Sequence, residues 1–161
     1  VQPLPVGPSR RTLRRLGAGL LFVIFAAGCG GGATDPAAAA LAALPACDEA
    51  AEHLPAPSDV AGLVLPEGSR VTEVTRGGPV VTVSAEVSRT PVDVRNEYHD
   101  RDDLEVLSAE DETFESEVLV RVGDHRMYLR AVALCAQGSG LTAVIGPDSD
   151  DTTLPELRTG R

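Results

Sequence analysis

The sequence predicts a small α+β domain: a single antiparallel sheet of about five strands, one main helix packed on a face, and a short N-terminal helix. Two β-rich runs, at 117–122 and 125–135, flank Gly123 and Asp124, which form a good two-residue hairpin turn. A helix-start signature at Thr90 separates this hairpin from two earlier strand patterns. Aromatic residues make up 3% of the chain and none is Trp, so the expected core is mostly Val, Leu and Ala.

The first elements of the domain follow a segment rich in Gly and Ala. Asp35 followed by Pro36 is a helix-start pair, and it predicts a short alanine helix that Pro45 stops. The next stretch, ACDEAAEHL, places Cys47 and Leu54 at helical spacing with acidic residues near the start. It predicts a short amphipathic helix whose apolar stripe packs against the sheet.

Two strands and the main helix come next. The stretches GLVLPEGSRVTEVTR and GPVVTVSAEVSR predict strands, the second with its apolar residues alternating onto one face. Thr90, Pro91 and Asp93 form a capping box with Asp in place of Glu, so the main helix is expected to begin there. Val94 and Tyr98 are four residues apart and are expected to face the sheet.

The hairpin turn predicts a definite register for the two strands that it joins. In that register Val118 faces Leu129 on the apolar side, and Glu117 faces Arg130 on the exposed side as an opposite-charge pair. Because a one-residue slip would move every side chain to the other face, the prediction is sharp. The GSG segment after the hairpin predicts a turn, and LTAVI predicts another strand.

The first thirty residues have the layout of a secretory signal. Arginines lie in SRRTLRRL, an apolar run extends from Leu16 to Ala27, and small residues precede Cys29. That run is shorter than the roughly 20 residues of a transmembrane helix. The sequence AAGC at 26–29 resembles a bacterial lipobox, with Ala26 where a larger aliphatic residue is usual. The resemblance implies a lipoprotein with a diacylglyceryl group on the Cys29 sulfur and cleavage just before that residue.

The lipoprotein resemblance implies a place in the cell envelope, with acyl chains on Cys29 in the outer side of the cytoplasmic membrane or in the outer membrane. The chain then divides into a signal peptide (1–28), a lipidated cysteine with a flexible tether (29–45), a globular domain (46–147) and a disordered acidic tail (148–161). A signal or anchor without lipidation is the alternative. SRRTLR also resembles a partial twin-arginine export signal.

The charge of the chain restricts its partners. Four of the 14 basic residues lie in the predicted signal, whereas all 24 acidic residues follow it. The rest of the chain therefore carries a net charge of −14, against −10 for the whole. Such a surface repels phosphate backbones, so no nucleic-acid partner is expected. The expected partners are the membrane and another envelope protein.

The chain has three cysteines, and lipidation of Cys29 would leave Cys47 and Cys135. A pair of cysteines in an exported domain favours a disulfide. The hairpin register places Cys135 on the core-facing side, and Cys47 shares the predicted helical stripe with Leu54. We therefore expect a Cys47–Cys135 disulfide. Two independent buried thiols are the alternative.

No constellation of residues in the sequence indicates a catalytic site, a cofactor or a metal. His53, His99 and His125 lie on different predicted elements, and Ser139 lacks the strand-to-helix setting of a nucleophile elbow. The acidic runs HDRDDLE and SAEDETFESE are expected in connections, and DSDD lacks the glycine and distal glutamate of a calcium loop. A non-catalytic binding or structural module is therefore expected. A hydrolase-like enzyme with a site built from distant residues is the alternative.

Overall fold

The structure, a computed structural model, describes residues 35–48, 52–149 and 151–157. These residues contain six strands and two helices. In chain order they are α1 (Pro36–Ala42), β1 (Arg70–Gly77), β2 (Val80–Val87), α2 (Pro91–His99), β3 (Glu105–Glu112), β4 (Glu115–Val122), β5 (His125–Cys135) and β6 (Gly138–Pro147). The strands form one antiparallel sheet in the order β1-β2-β6-β5-β4-β3. The predicted α+β class is confirmed, with six strands where about five were expected.

The β4–β5 hairpin has the register that the sequence predicts. Val118 pairs with Leu129, and Glu117 pairs with Arg130. Gly123 at the turn has φ +61°, a left-handed conformation that glycine adopts without the steric cost of a side chain. The turn residues and the two apolar patterns therefore agree on one pairing.

The helix α2 and the segment 60–65 cover the same face of the sheet. α2 begins with the predicted capping box, in which Thr90 Oγ1 accepts from the Asp93 N–H and Asp93 accepts from the Thr90 N–H. Val94 and Tyr98 are buried against the sheet, as predicted. The segment 60–65 packs its apolar side chains on the core, although residues 62–65 were expected to belong to the first strand.

The predicted helix at 47–54 is wrong for the residues that are described. Residues 45–48 and 52–53 are not helical, and Leu54 forms an isolated bridge with Val71 on β1. Its N–H donates to the Val71 carbonyl oxygen at 2.7 Å. Leu54 precedes Pro55, and a residue before proline is disfavoured in the α region, so the extended conformation prevails.

The alanine helix predicted after Asp35, within the segment assigned to the tether, is α1. Asp35 caps it by accepting from the Ala37 N–H at 3.0 Å, and Pro36 occupies the first turn, as the sequence predicts. Leu41 is buried at 8% exposure. Part of the segment assigned to a flexible tether is therefore helical and packed.

An acidic strand forms one edge of the sheet. All of SAEDE (108–112), expected in a connection, lies in β3. The two glutamates of this stretch stand opposite like charges on β4, since Glu110 pairs with Glu117 and Glu112 with Glu115. Like charges directly opposite one another destabilise a strand pair, so these acidic residues do not predict a strand from the sequence. Charged side chains are common on edge strands because they discourage pairing with another chain.

The turn after β5 lies earlier than predicted. Ala136 and Gln137 form it, and the expected turn residues of GSG already belong to β6, where Gly138 pairs with Cys135. A register shift between Ala133 and Cys135 accompanies this pairing. The glycines of GSG are therefore strand residues.

Part of the segment assigned to a disordered tail lies against the sheet. Thr152 is 7% exposed, and its N–H donates to the Ser149 carbonyl oxygen at 3.1 Å. A Cβ atom at Gly146 would lie 2.5 Å from Thr152 Cγ2, so the missing side chain makes room for the segment. The packing of Thr152 against the sheet therefore depends on the glycine at position 146 of β6.

Candidate functional site at the tethered end

The chain enters the domain at one end of the sheet. β2, β3 and β5 end there, whereas β1, β4, β6 and α2 begin there. The segment after α1 reaches the same end, because the Ala136 N–H donates to the Pro45 carbonyl oxygen at 2.9 Å. We call this region the tethered end; it comprises α1, the turns at 113–114 and 136–137, and Cys135.

A disulfide joins the entering segment to the sheet. It links Cys47 to Cys135, with their Cα atoms 5.0 Å apart and a sequence separation of 88 residues. A Cβ atom at Gly138 would lie 2.6 Å from Cys135 Sγ and 2.9 Å from Cys47 Sγ. The glycine therefore leaves the space that the two sulfurs occupy. The disulfide bond therefore attaches the segment after α1 covalently to the end of β5.

Cys29, the predicted lipidation site, lies outside the described residues, as does the predicted signal 1–28. Asp35, the first described residue, follows it by six positions. Six residues span at most about 20 Å when fully extended. Within the described parts of the chain, no helix has the length and apolar character needed to cross a membrane.

A groove of about 620 Å³ lies at the tethered end between α1, the start of α2 and the turn after β3. Leu41 and alanines of α1 contribute much of its apolar wall. Three of its carboxylates are engaged: Asp35 caps α1, Asp93 caps α2, and Asp111 pairs with Arg95 at 2.8 Å. The groove therefore offers an apolar surface in which three of the four lining carboxylates, all but that of Glu112, have structural roles.

Four glutamates lie near this end on the face of the sheet away from α2, at positions 110, 112, 115 and 117. Glu117, expected on an exposed face, is only 3% exposed and accepts a 2.6 Å hydrogen bond from Tyr128 Oη. Arg130 stands opposite Glu117, as predicted, but makes two 2.5 Å hydrogen bonds to Glu115, its diagonal neighbour. Burial raises the pKa of Tyr128, and the hydrogen bond to Glu117 raises it further. The predicted exposed pair is thus part of a largely buried network.

The histidines that the sequence offers do not come together. His53 and His99 are exposed on separate segments, and His125 Nδ1 lies 2.7 Å from its neighbour Asp124. Ser139 is buried and donates to the Arg89 carbonyl oxygen at 2.7 Å, a structural role. Within residues 35–48, 52–149 and 151–157, no group of three His, Cys, Asp or Glu side chains is placed to hold a metal.

Comparisons of the chain with protein families, curated proteins and solved structures found no match. A function is therefore argued from the residues of the chain itself.

Three exposed hydrophobic side chains were not predicted from the sequence. In the described part of the chain, the exposed large hydrophobic residues are Leu54, Phe114 and Leu134, with relative exposures of 47%, 44% and 58%. All three lie at or beside the tethered end: Leu54 pairs with the start of β1, Phe114 precedes β4, and Leu134 precedes Cys135. One signal was available, since Phe114 is the sole phenylalanine after the predicted signal and stands within an acidic run.

Proposed function

We propose that this chain is a lipid-anchored envelope protein whose acyl chains are attached to Cys29, and that its domain is a non-catalytic binding or structural module. The observation that carries the proposal is the position of Cys29. It follows an apolar run preceded by arginines, and it lies six positions before Asp35, the cap of the first helix. An anchor at Cys29 would hold the domain within a short distance of the membrane surface.

The disulfide between Cys47 and Cys135 supports an exported domain. Disulfides persist in oxidising compartments and are rare in the cytosol, where reducing systems keep thiols reduced. Pairing of these two cysteines leaves Cys29 available for acylation. The three cysteines of the chain thus have two separate roles under this proposal.

The surface chemistry supports a module that binds proteins or lipids. The net charge of −14 after residue 28 repels nucleic acids. At the tethered end, Asp93 and Asp111 serve a helix cap and an ion pair, and the groove beside them is walled by alanines and Leu41. A largely apolar surface, with three of its four carboxylates in structural roles, suits contact with a partner better than acid–base chemistry.

The lipid anchor is tested by labelling cells with an alkyne-bearing fatty acid. The wild-type protein should be labelled and should migrate as the shorter, processed form. Cys29→Ser should lose the label and keep its signal, because the thiol is the acceptor of the lipid and the peptidase acts on the lipidated form. Cys47→Ser and Cys135→Ser are matched controls that remove a cysteine and should keep the label. Processing and membrane retention of Cys29→Ser at the wild-type level would contradict the anchor.

The module assignment is tested with the acylated protein purified from solubilised envelopes. A partner protein present at constant stoichiometry through successive purification steps would support a binding role. Reproducible hydrolysis of ester or amide substrates by the purified wild-type protein would contradict the non-catalytic assignment. The two results are independent of the labelling experiment, so the anchor and the module can fail separately.

A further inference from the structure

The exposed hydrophobic side chains of the domain form a row across the tethered end. Leu54 lies beside the edge strand β1, Leu134 is on β5, and Phe114 lies where β3 turns into β4. Neighbouring strands are about 4.8 Å apart, so the five steps from Leu54 to Phe114 cover about 24 Å. The opposite end, with its turns at 78–79 and 123–124, has no exposed large hydrophobic side chain among the described residues.

The row includes side chains from both faces of the sheet. Leu134 lies on the face away from α2, where a Cβ atom at Gly140 would lie 3.3 Å from Leu134 Cδ1. Phe114 lies two residues before Ser116, whose hydroxyl donates to the Pro91 carbonyl oxygen on α2 at 2.6 Å. Phe114 is in the turn before β4, but its carbonyl oxygen accepts from the Ala133 N–H at 2.8 Å, so it continues the pairing with β5 and lies on the helix side with Ser116. A flat partner that met the sheet end-on would touch both side chains, whereas a partner on either face would touch one.

The length of chain before the domain limits where this end can lie. At most about 20 Å of extended chain separates Cys29 from Asp35. The hydrogen bond from Ala136 to Pro45 and the Cys47–Cys135 disulfide attach the following segment to the same end. Acyl chains on Cys29 would therefore keep the tethered end closest to the bilayer.

We propose that the tethered end rests on the lipid surface, with Phe114 and Leu134 entering the headgroup region. This inference rests on the lipid anchor at Cys29 proposed above. The anchor makes the second contact intramolecular, so two side chains suffice for a contact that would be too weak in free solution. The occupant of this surface is thus the bilayer to which the chain is attached.

The charges near Phe114 determine which lipids this end accepts. Glu112 and Glu115 flank the turn that carries Phe114, and Glu115 is paired with Arg130. The net charge of −14 after residue 28 repels anionic headgroups. We therefore expect contact with zwitterionic lipid and insertion limited to the headgroup region.

The absence of tryptophan from the chain allows a direct test. F114W and L134W each introduce a single tryptophan at the tethered end, and D124W introduces one at the opposite end, where the Asp124 side chain is 94% exposed. The precursor of each variant is expressed in cells, purified in its acylated form and reconstituted into phosphatidylcholine vesicles, part of whose lipids carry a nitroxide quencher on the headgroup. F114W and L134W should lose fluorescence relative to vesicles without the quencher, because an aromatic side chain at the interface lies at the level of the headgroups. D124W should be unaffected.

A double variant excludes the explanation that the new tryptophan itself draws the domain to the lipid. F114W/L134S should show less quenching than F114W, because the native Leu134 contributes to the contact. If acylated F114W and L134W were quenched no more than D124W, the lipid-surface contact would be overturned while the anchor stood. If F114W/L134S were quenched as much as F114W, the native side chain would have no part and the proposal would also fail. Loss of the anchor itself would show separately, as a wild-type protein without fatty-acid label.

Discussion

The hydroxyl of Tyr98 on α2 donates a hydrogen bond to the main-chain carbonyl oxygen of Val64, 2.5 Å away. This contact joins the two segments that cover one face of the sheet. The helix α2 lies over β3, β4 and β5, and the segment 60–65 packs on the core beside it. Tyr98 is 1% exposed, so its phenol has exchanged water for this single acceptor. The hydrogen bond holds the long segment before β1 in place.

Tyr98→Phe should destabilise the domain without changing its fold. The Val64 carbonyl would lose this donor, and the loss of one intramolecular hydrogen bond costs about 0.5–1.5 kcal/mol. Urea unfolding should show this loss as a lower midpoint with an unchanged slope. His99→Gln is a matched control, because His99 is the exposed neighbour on the same helix, and its effect should stay within about 0.5 kcal/mol. Equal midpoints for Tyr98→Phe and wild type would contradict the role given to the hydrogen bond.

Both tyrosines should resist ionisation in the folded protein. Burial holds the pKa of Tyr98 and Tyr128 above the ordinary value of 10.0, and Glu117 raises that of Tyr128 further. Since the folded-state pKa exceeds the unfolded one, the free energy of unfolding is unaffected below pH 10. It falls as the pH rises above that value, by up to about 1.4 kcal/mol per pH unit for each tyrosine.

The alkaline titration is read from phenolate absorbance. The chain has two tyrosines, so the signal is simple: phenolate should form together with unfolding and not before it. Tyr128→Phe leaves Tyr98 as the sole reporter and should show the same coincidence. Phenolate formation near pH 10 in a protein that remains folded would contradict the burial assigned to these side chains.

Gly123→Ala should destabilise the β4–β5 hairpin through the backbone alone. Gly123 has φ +61°, and a Cβ atom there would meet nothing within 4 Å, so no packing change accompanies the substitution. A left-handed conformation costs an alanine about 1–2 kcal/mol, and Asn tolerates it better. We expect Gly123→Ala to lower the free energy of unfolding by that amount, and Gly123→Asn by less. Gly77→Ala is the control, because Gly77 is equally open but lacks the positive φ. A larger loss for Gly77→Ala than for Gly123→Ala would contradict this explanation.

The parts of the fold that could be predicted from the sequence are those with local signals. The capping box at Thr90 begins α2, Asp35 and Pro36 begin α1, and Gly123 with Asp124 forms the hairpin turn. In each case a few adjacent residues satisfy their own backbone groups or favour the required φ. Such signals need no knowledge of the rest of the chain.

The elements that were missed depend on distant partners. β3 carries Glu and Asp at successive positions, and β4 supplies all its cross-strand pairing. Leu54 is extended because Pro55 follows it and Val71 offers an acceptor. Glu117 is buried because Tyr128 and the residues around it close over a face that alternation alone makes solvent-exposed. The exposed row at the tethered end is equally invisible in the sequence, because Leu54, Phe114 and Leu134 come to the same end of the sheet only when the strands are in order.

The disulfide should account for a large share of the stability of the domain. Cys47 and Cys135 are 88 positions apart, and the chain-entropy model gives about 4–5 kcal/mol for closing such a loop. Typical domains have about 5–15 kcal/mol in total. Cys47→Ser and Cys135→Ser should therefore each lower the free energy of unfolding by several kcal/mol, and the double variant should lose no more than either single variant, because both remove the same bond. Thiol titration of the acylated wild-type protein, denatured without reductant, should detect no free thiol. Two titratable thiols, or additive losses in the double variant, would show that the two cysteines act independently.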